Sequence, residues 1–284
     1  MTVEAAALRE TAYAKINLAL HVRAREPDGY HRIETLFAYC SDGDMVSVTP
    51  APELTLSIDG PFAAGLSTGQ DNLVIQAAQA LKSQTAGAKG AALHLTKTLP
   101  IASGVGGGSS DAAAALRLLN RFWDAGADER LLHDIAADLG ADVPACIASQ
   151  TCFGSGRGDD LKFLAPCRLD GMPVLLVNPR VPVETGPVFA GWDGVDRGAL
   201  DVEPPLTLDS DWRNDLQKPA CAIAPEIEGV LDWITGQPDV IFHRMSGSGA
   251  TCFALFDSPA ACERAETAVR RDHPGWWTMA SQLR

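Results

Sequence analysis

The stretch Leu99–Asn120, LPIASGVGGGSSDAAAALRLLN, restricts the possible folds of this chain more than any other. Four glycines in five positions (Gly104, Gly106, Gly107 and Gly108) follow a proline and lead into two serines, an aspartate and an alanine-rich run. Glycine reaches backbone angles closed to other residues and leaves main-chain N–H groups open to a ligand. Ser109, Ser110 or Asp111 can cap a helix over Ala112 to Leu119, whose Ala and Leu content favours that state. The unpaired amides and partial positive charge of a first helical turn favour an anion. Upstream, AALHLTKTLP alternates like a strand. Strand, glycine loop and capped helix follow in the order a phosphate cradle requires, which favours that reading over a plain flexible loop.

Several familiar phosphate loops are excluded. No lysine follows the glycines, so the G-x-x-x-x-G-K-[ST] pattern is absent, and Ser109 stands where a dinucleotide or protein-kinase loop needs glycine. A G-x-S-x-G nucleophile elbow is also missing. The formal net charge of −13 argues against nucleic acid as a partner, because a polyanion is held mainly by Lys and Arg. A small phosphate ester can still be bound by aimed amides and a few placed cations. The seven cysteines include no C-x-x-C pair, so neither a disulfide framework nor a zinc site follows. The acidic N-terminal stretch MTVEAAALRETAYAK and the lack of any long apolar run lead us to expect a cytoplasmic protein with no membrane partner.

Along the chain, AYAKINLALHV alternates as a half-buried strand. Its polar side holds Tyr13, Lys15, Asn17 and His21, a set that residue type alone assigns to solvent. Pro27-Asp28-Gly29 marks a turn before Tyr30, His31 and a strand through Tyr39, and Met45–Val48 and Leu54–Ile58 read as two further short strands. Asp71 and Asn72 can start a helix, Lys97 reads as an exposed strand-end lysine, and Asp128 and Gly140 bracket another helix. Asp142, in GADVP, reads as a helix cap whose setting would keep the carboxylate ionised. The loosened GSGRG around Gly158 suggests a boundary between residues 1–158 and 159–284. Beyond it we expect a strand at Val174–Val177, a Gly/Asp/Pro-rich linker over Gly191–Ser210 and a helix through Ile227 and Ile234. Strands at Val240–Arg244 and Thr251–Phe256 flank a Ser246–Gly249 turn, and a Pro259–Arg271 helix and a strand at Trp276–Met279 complete an α+β chain.

Three separated segments, Ala14–Asn17 with Asp28–His31, Pro100–Asp111, and Met245–Cys252, resemble the three motifs of the GHMP small-molecule kinases, and the match spans nearly the whole chain. The resemblance implies an N-terminal domain like a ribosomal protein, a ferredoxin-like C-terminal domain and a site between them. It also implies ATP-dependent phosphorylation, with Mg²⁺, of the 2-hydroxyl of a cytidine-diphosphate-linked methylerythritol in the non-mevalonate isoprenoid pathway. Carried over by position, Asp142 is the catalytic aspartate, Lys15 its partner, and Asn17 and Thr185 lie near the substrate. Tyr30 and Phe189 hold the positions that stack on cytosine, and His31 the one that hydrogen-bonds it. Asn72 and Lys97 match positions near adenine. The run of Pro100, Ile101, Ala102, Ser103, Gly104, Val105, Gly106, Gly107, Gly108, Ser109 and Ser110 covers the ATP phosphates, with Ser109 or Ser110 as the hydroxyl for Mg²⁺. Ser103 and Val105 depart from the usual loop wording, and the Ser103 hydroxyl could reach a phosphate.

The chemistry agrees with this assignment: phosphoryl transfer asks for positioning and charge neutralisation, with a carboxylate to take the alcohol proton. One alternative is a related kinase for homoserine or mevalonate, against which Tyr30, His31 and Phe189 argue, since a flat base suits them. Another is a non-catalytic nucleotide-binding module, against which the presence of both Lys15 and Asp142 argues. Either a monomer or a homodimer fits the sequence.

Overall fold

The computed structural model describes residues 8–164, 167–203 and 205–284. The start of the acidic N-terminal stretch lies outside them. In chain order the elements are β1 (Leu8–Arg25), β2 (His31–Pro50), β3 (Thr55–Asp59), α1 (Leu73–Gln84), β4 (Ala91–Thr96), α2 (Gly107–Phe122), α3 (Glu129–Leu139), α4 (Val143–Ala148) and β5 (Cys152–Ser155). They continue with β6 (Asp160–Phe163), β7 (Pro173–Asn178), α5 (Thr185–Ala190), α6 (Gln217–Ile223), α7 (Glu226–Thr235), β8 (Val240–Met245), β9 (Cys252–Phe256), α8 (Pro259–Asp272) and β10 (Trp277–Gln282). Two compact units result, each discontinuous in sequence. The first takes the chain up to Ala14, Asp42–Leu99 and Gly107–Ala148, and the second takes Lys15–Ser41, Pro100–Gly106 and Ser149–Arg284.

In the first unit the later half of β2 pairs antiparallel with β4, Met45 opposite Thr96 and Pro50 opposite Ala91, while β3 runs parallel to β4. Helix α2 packs against α1 and α4 and is buried at Ser110 through Leu116 and at Leu118 and Leu119. Alanines at 112 to 115 suit it, because small side chains let neighbouring helices approach closely at no cost in helix propensity. Asn72 caps α1 by accepting from the Val74 amide at 2.9 Å, and Asp128 caps α3 by accepting from the Leu131 amide at 2.8 Å, as the sequence leads one to expect. Gly140 ends α3.

Two details differ from the sequence reading. Helix α2 begins at Gly107, so Ser109, Ser110 and Asp111 lie inside its first turn instead of capping it. The two expected strands between His31 and Val48 are one continuous strand, β2. Gly43 permits this, since a Cβ there would stand 2.0 Å from the carbonyl oxygen of Ala12.

In the second unit the first half of β2 pairs antiparallel with β5, Thr35 opposite Gly154, and β5 and β6 form a hairpin whose turn is the loosened GSGRG segment. A separate antiparallel sheet has the order β10-β7-β9-β8. Its inner strands β7 and β9 are buried at every residue, which explains why PVLLVN and CFALF are continuous apolar runs without alternation. The core around them joins Leu175 and Val177 of β7 to Ile227, Val230 and Ile234 of α7 and Val269 of α8. Helix α6 has no counterpart in the sequence reading. Its Pro219 looks like a breaker, yet it sits in the first turn, where no intrahelical N–H is needed.

Candidate active site

In the second unit, residues 100–106 of the glycine loop are held by their carbonyls. Val105 O accepts from the Lys15 amide at 3.0 Å, Ser103 O from the Thr251 amide at 3.0 Å and Gly104 O from Ser246 Oγ at 2.7 Å. Ser246 Oγ in turn accepts from the Asn17 amide at 3.0 Å. Gly104 has φ +78°, and a Cβ on it would lie 2.3 Å from Ser246 O, so both conformation and space exclude a larger residue. The Ser103 hydroxyl donates to Pro100 O at 2.6 Å and braces the loop from within, which leaves it no free proton for a phosphate. Among the described residues, the amides of Ile101 to Gly106 donate no hydrogen bond to the backbone. Those of the first turn of α2 have no intrahelical acceptor. Carbonyls committed and amides open are the features of an anion receptor.

The polar side of β1 is not solvated. Lys15 is 4% exposed, and Asn17 and His21 are likewise buried. Burying such groups requires partners, and they come from distant parts of the chain. Lys15 lays its stem against Gly106, where a Cβ would stand 3.0 Å from its Cε, and its Nζ lies 4.4 Å from the centre of the Phe37 ring. Asn17 Nδ2 donates to Thr35 Oγ1 at 2.7 Å, and that hydroxyl donates to Ala19 O at 2.7 Å. Asn17 Oδ1 is buried with no hydrogen-bond partner among the described residues, an acceptor suited to a ligand hydroxyl. His21 lies 3.3 Å from Gly198 O through Nδ1 and accepts from the Arg213 amide at 3.4 Å through Nε2.

An aromatic group forms around the turn before β2. Tyr30 is 59% exposed and carries the Arg157 guanidinium 4.0 Å from its ring centre, with Arg157 also paired to Asp28. His31 lies 5.1 Å from the Phe189 ring and 5.8 Å from that of Trp192, the latter edge-on. Thr185, which opens α5, shares a 3.0 Å hydrogen bond with Ser248. The structure therefore brings His31 and Phe189 together. Arg157 and Trp192 are additions that sequence reasoning did not single out, whereas Ser246 lies in the SGSG turn that the sequence marked.

In the first unit Lys97 is 3% exposed, which corrects its reading as a surface lysine. Its ammonium is held by the carboxylates of Asp44 and of Asp111, the latter at 2.6 Å. Burial alone would lower the Lys97 pKa, but Asp111 and Asp44 outweigh it and raise it. Burial pushes the Asp111 carboxyl up to about 7, where the pull of Lys97 is opposed by the charge of Asp44. The cluster adjoins the start of α2, since a Cβ on Gly107 would lie 3.0 Å from Lys97 Nζ. The Ser110 hydroxyl is buried and donates to Cys146 Sγ at 3.5 Å, whereas Ser109 is half-buried. Asn72 is the α1 cap, with Nδ2 also donating to Ser67 O at 2.7 Å. Asp142 stands half-buried immediately before α4. Among the described residues no cluster of three or more His, Cys, Asp or Glu could hold a metal ion, and no helix is long and apolar enough to cross a membrane.

Open amides running into a helix start are suited to a phosphate group. Comparison with known proteins supplies the class. Residues 72–150 match the GHMP kinases N terminal domain and residues 206–275 the GHMP kinases C terminal model. The chain is 51% identical to 4-diphosphocytidyl-2-C-methyl-D-erythritol kinase of Sphingopyxis alaskensis, covering 98% of this chain and 99% of that one. It is 48% identical to the kinase of the same name from Novosphingobium aromaticivorans, covering 99% and 94%. A crystal structure of 4-(cytidine 5'-diphospho)-2C-methyl-D-erythritol kinase superimposes with a TM-score of 0.78 at 31% identity, covering 97% of this chain and 99% of that one. Methanococcus jannaschii mevalonate kinase shares the fold alone, with a TM-score of 0.70 at 8% identity and all of both chains covered. The chain belongs to the GHMP kinase family and, within it, to the family of 4-diphosphocytidyl-2-C-methyl-D-erythritol kinases. It is an ATP-dependent kinase of a small molecule.

Proposed function

We propose that the protein transfers the γ-phosphoryl group of ATP to the 2-hydroxyl of 4-diphosphocytidyl-2-C-methyl-D-erythritol, a step of the non-mevalonate isoprenoid pathway. The observation that carries this reading over a mevalonate or homoserine kinase is the aromatic group of His31, Phe189 and the exposed Tyr30, which suits a flat base. Full-length similarity to kinases named for that substrate supports it.

In this reading the amides of Pro100 to Ser110, the prolyl residue aside, hold the triphosphate and neutralise charge on its oxygens as the transition state loosens. Asp142 accepts the proton of the substrate hydroxyl as its oxygen bonds to the γ-phosphorus and ADP departs, and Lys15 steadies the charge. Asn17 offers its unpaired Oδ1 to a substrate hydroxyl, and Thr185 lines the substrate. Asn72 and Lys97 border the adenine; since the Lys97 ammonium is committed to Asp44 and Asp111, Lys97 acts there by holding the backbone in place. For Mg²⁺, the half-buried Ser109 is the better hydroxyl, because that of Ser110 is turned to Cys146. Few protein ligands suit this ion, which keeps waters and binds largely through substrate phosphates, and it would supply charge neutralisation there. The two family segments, 72–150 and 206–275, fall on either side of Gly158, but the β5–β6 hairpin carries the second unit across it, so a division into residues 1–158 and 159–284 is one of sequence and not of compact units. We place the protein in the cytoplasm, with neither nucleic acid nor membrane as a partner, as a monomer or homodimer.

The test is ATP consumption by the purified protein. ADP should form with the cytidylylated methylerythritol and not with mevalonate or homoserine; the opposite preference ends the assignment.

A further inference from the structure

His31 opens β2 and is 8% exposed. Arg25 Nε stands 3.2 Å from its Nε2. A guanidinium offers N–H donors and no acceptor, so Nε2 has to be the accepting nitrogen; the ring is neutral and its proton sits on Nδ1. Burial first, and then the charge of Arg25, lower the His31 pKa, in agreement with a neutral ring. Arg25 is anchored as well: its Nη2 donates to Ala190 O at 3.3 Å, at the end of the helix that carries Phe189. The ring is thus gripped at one nitrogen and flanked by Phe189 and Trp192, while no hydrogen bond engages Nδ1 among the described residues.

We propose that Arg25 is a specificity-setting positioning residue: by occupying Nε2 it fixes His31 in the Nδ1–H form, which presents a lone donor and selects cytosine over uracil. The inference rests on the proposed cytidine-diphosphate substrate. Cytosine has an unprotonated ring nitrogen, N3, where uracil has an N–H. A fixed donor meets an acceptor in the first and another donor in the second, and a buried donor facing a donor is left unsatisfied. Without Arg25 the imidazole is free to exchange tautomers, and its Nδ1 can then accept from uracil. In this proposal Arg25 acts through His31, the side chain its Nε meets.

The experiment has two parts. In ¹⁵N-labelled wild-type protein, the long-range spectrum of His31 should show a pyridine-like Nε2 and a pyrrole-like Nδ1; the reverse pattern, or two pyrrole-like nitrogens near neutral pH, overturns the proposal. Kinetically, the ratio of kcat/KM for the cytidine substrate to that for its uridine analogue should fall at least about tenfold in Arg25→Met, mostly through the KM for the uridine compound, and return in Arg25→Lys, which keeps a donor. An unchanged ratio in folded Arg25→Met overturns it too. A wild-type protein that phosphorylates neither compound would instead refute the proposed function, and the tautomer pattern would still decide whether Arg25 sets His31.

Discussion

Replacing Lys97 by Met isolates the buried charge cluster beneath the start of α2. The ammonium is enclosed by Asp44 and Asp111, with all three side chains at most 5% exposed. Removing it leaves two buried carboxylates uncompensated, and breaking a buried ion pair from one side costs about 3–5 kcal/mol. The pH dependence follows from Asp111, whose carboxyl is raised from 3.8 to about 7, chiefly by burial. Between those values the folded state holds a proton that the unfolded state has released, so this group's contribution is complete below 3.8, declines as the pH rises and is gone above about 7. Without Lys97 the carboxyl is pushed higher still, and the penalty of the variant grows with pH. Urea denaturation followed by circular dichroism should show a loss of about 3–5 kcal/mol near pH 8.5, and a loss smaller by at least about 1 kcal/mol near pH 5.5. Adding Asp111→Asn to Lys97→Met should recover part of the loss at the higher pH, because one buried charge is then removed. A loss below about 1 kcal/mol near pH 8.5, or one equal at both pH values, would refute the reasoning.

Two further outcomes follow from the site. Asp142→Asn should lower kcat by about two to four orders of magnitude while ATP still binds in a calorimetric titration; an unchanged rate would remove Asp142 from the chemistry. Gly104→Ala should raise the KM for ATP and lower the thermal midpoint, since its Cβ would collide with Ser246 O at 2.3 Å in a backbone of φ +78° that alanine resists. Wild-type values for both would show that the loop does not depend on that close approach.

The parts legible in the sequence were those set by local rules. Caps at Asn72 and Asp128, the stop at Gly140 and the buried runs of β7 and β9 all depend on residues a few positions apart. The glycine loop was legible because backbone conformation itself requires glycine at 104. What misled was burial of charge. Lys15, Asn17, His21 and Lys97 carry the residue types of a surface, and what keeps Asn17 and Lys97 inside are partners on other elements: the Asn17 side chain meets Thr35, 18 residues on, and Lys97 meets Asp111, 14 residues on, and Asp44, 53 residues back. Residue type and spacing alone mark none of these as pairs. Arg157 and Trp192 escaped notice because only the fold sets them against Tyr30 and His31; Arg25 lies six residues from His31, but nothing in its residue type marks it as a partner.

The central claim is that consecutive main-chain amides of the glycine loop receive the phosphates of ATP. Titrating ATP into ¹⁵N-labelled protein and following the amide resonances tests it directly. The resonances of Ile101 to Ser110 should shift together and saturate with a single Kd, with those of Gly104 to Gly108 moving most. Saturable binding of ATP that leaves these resonances in place would contradict the account.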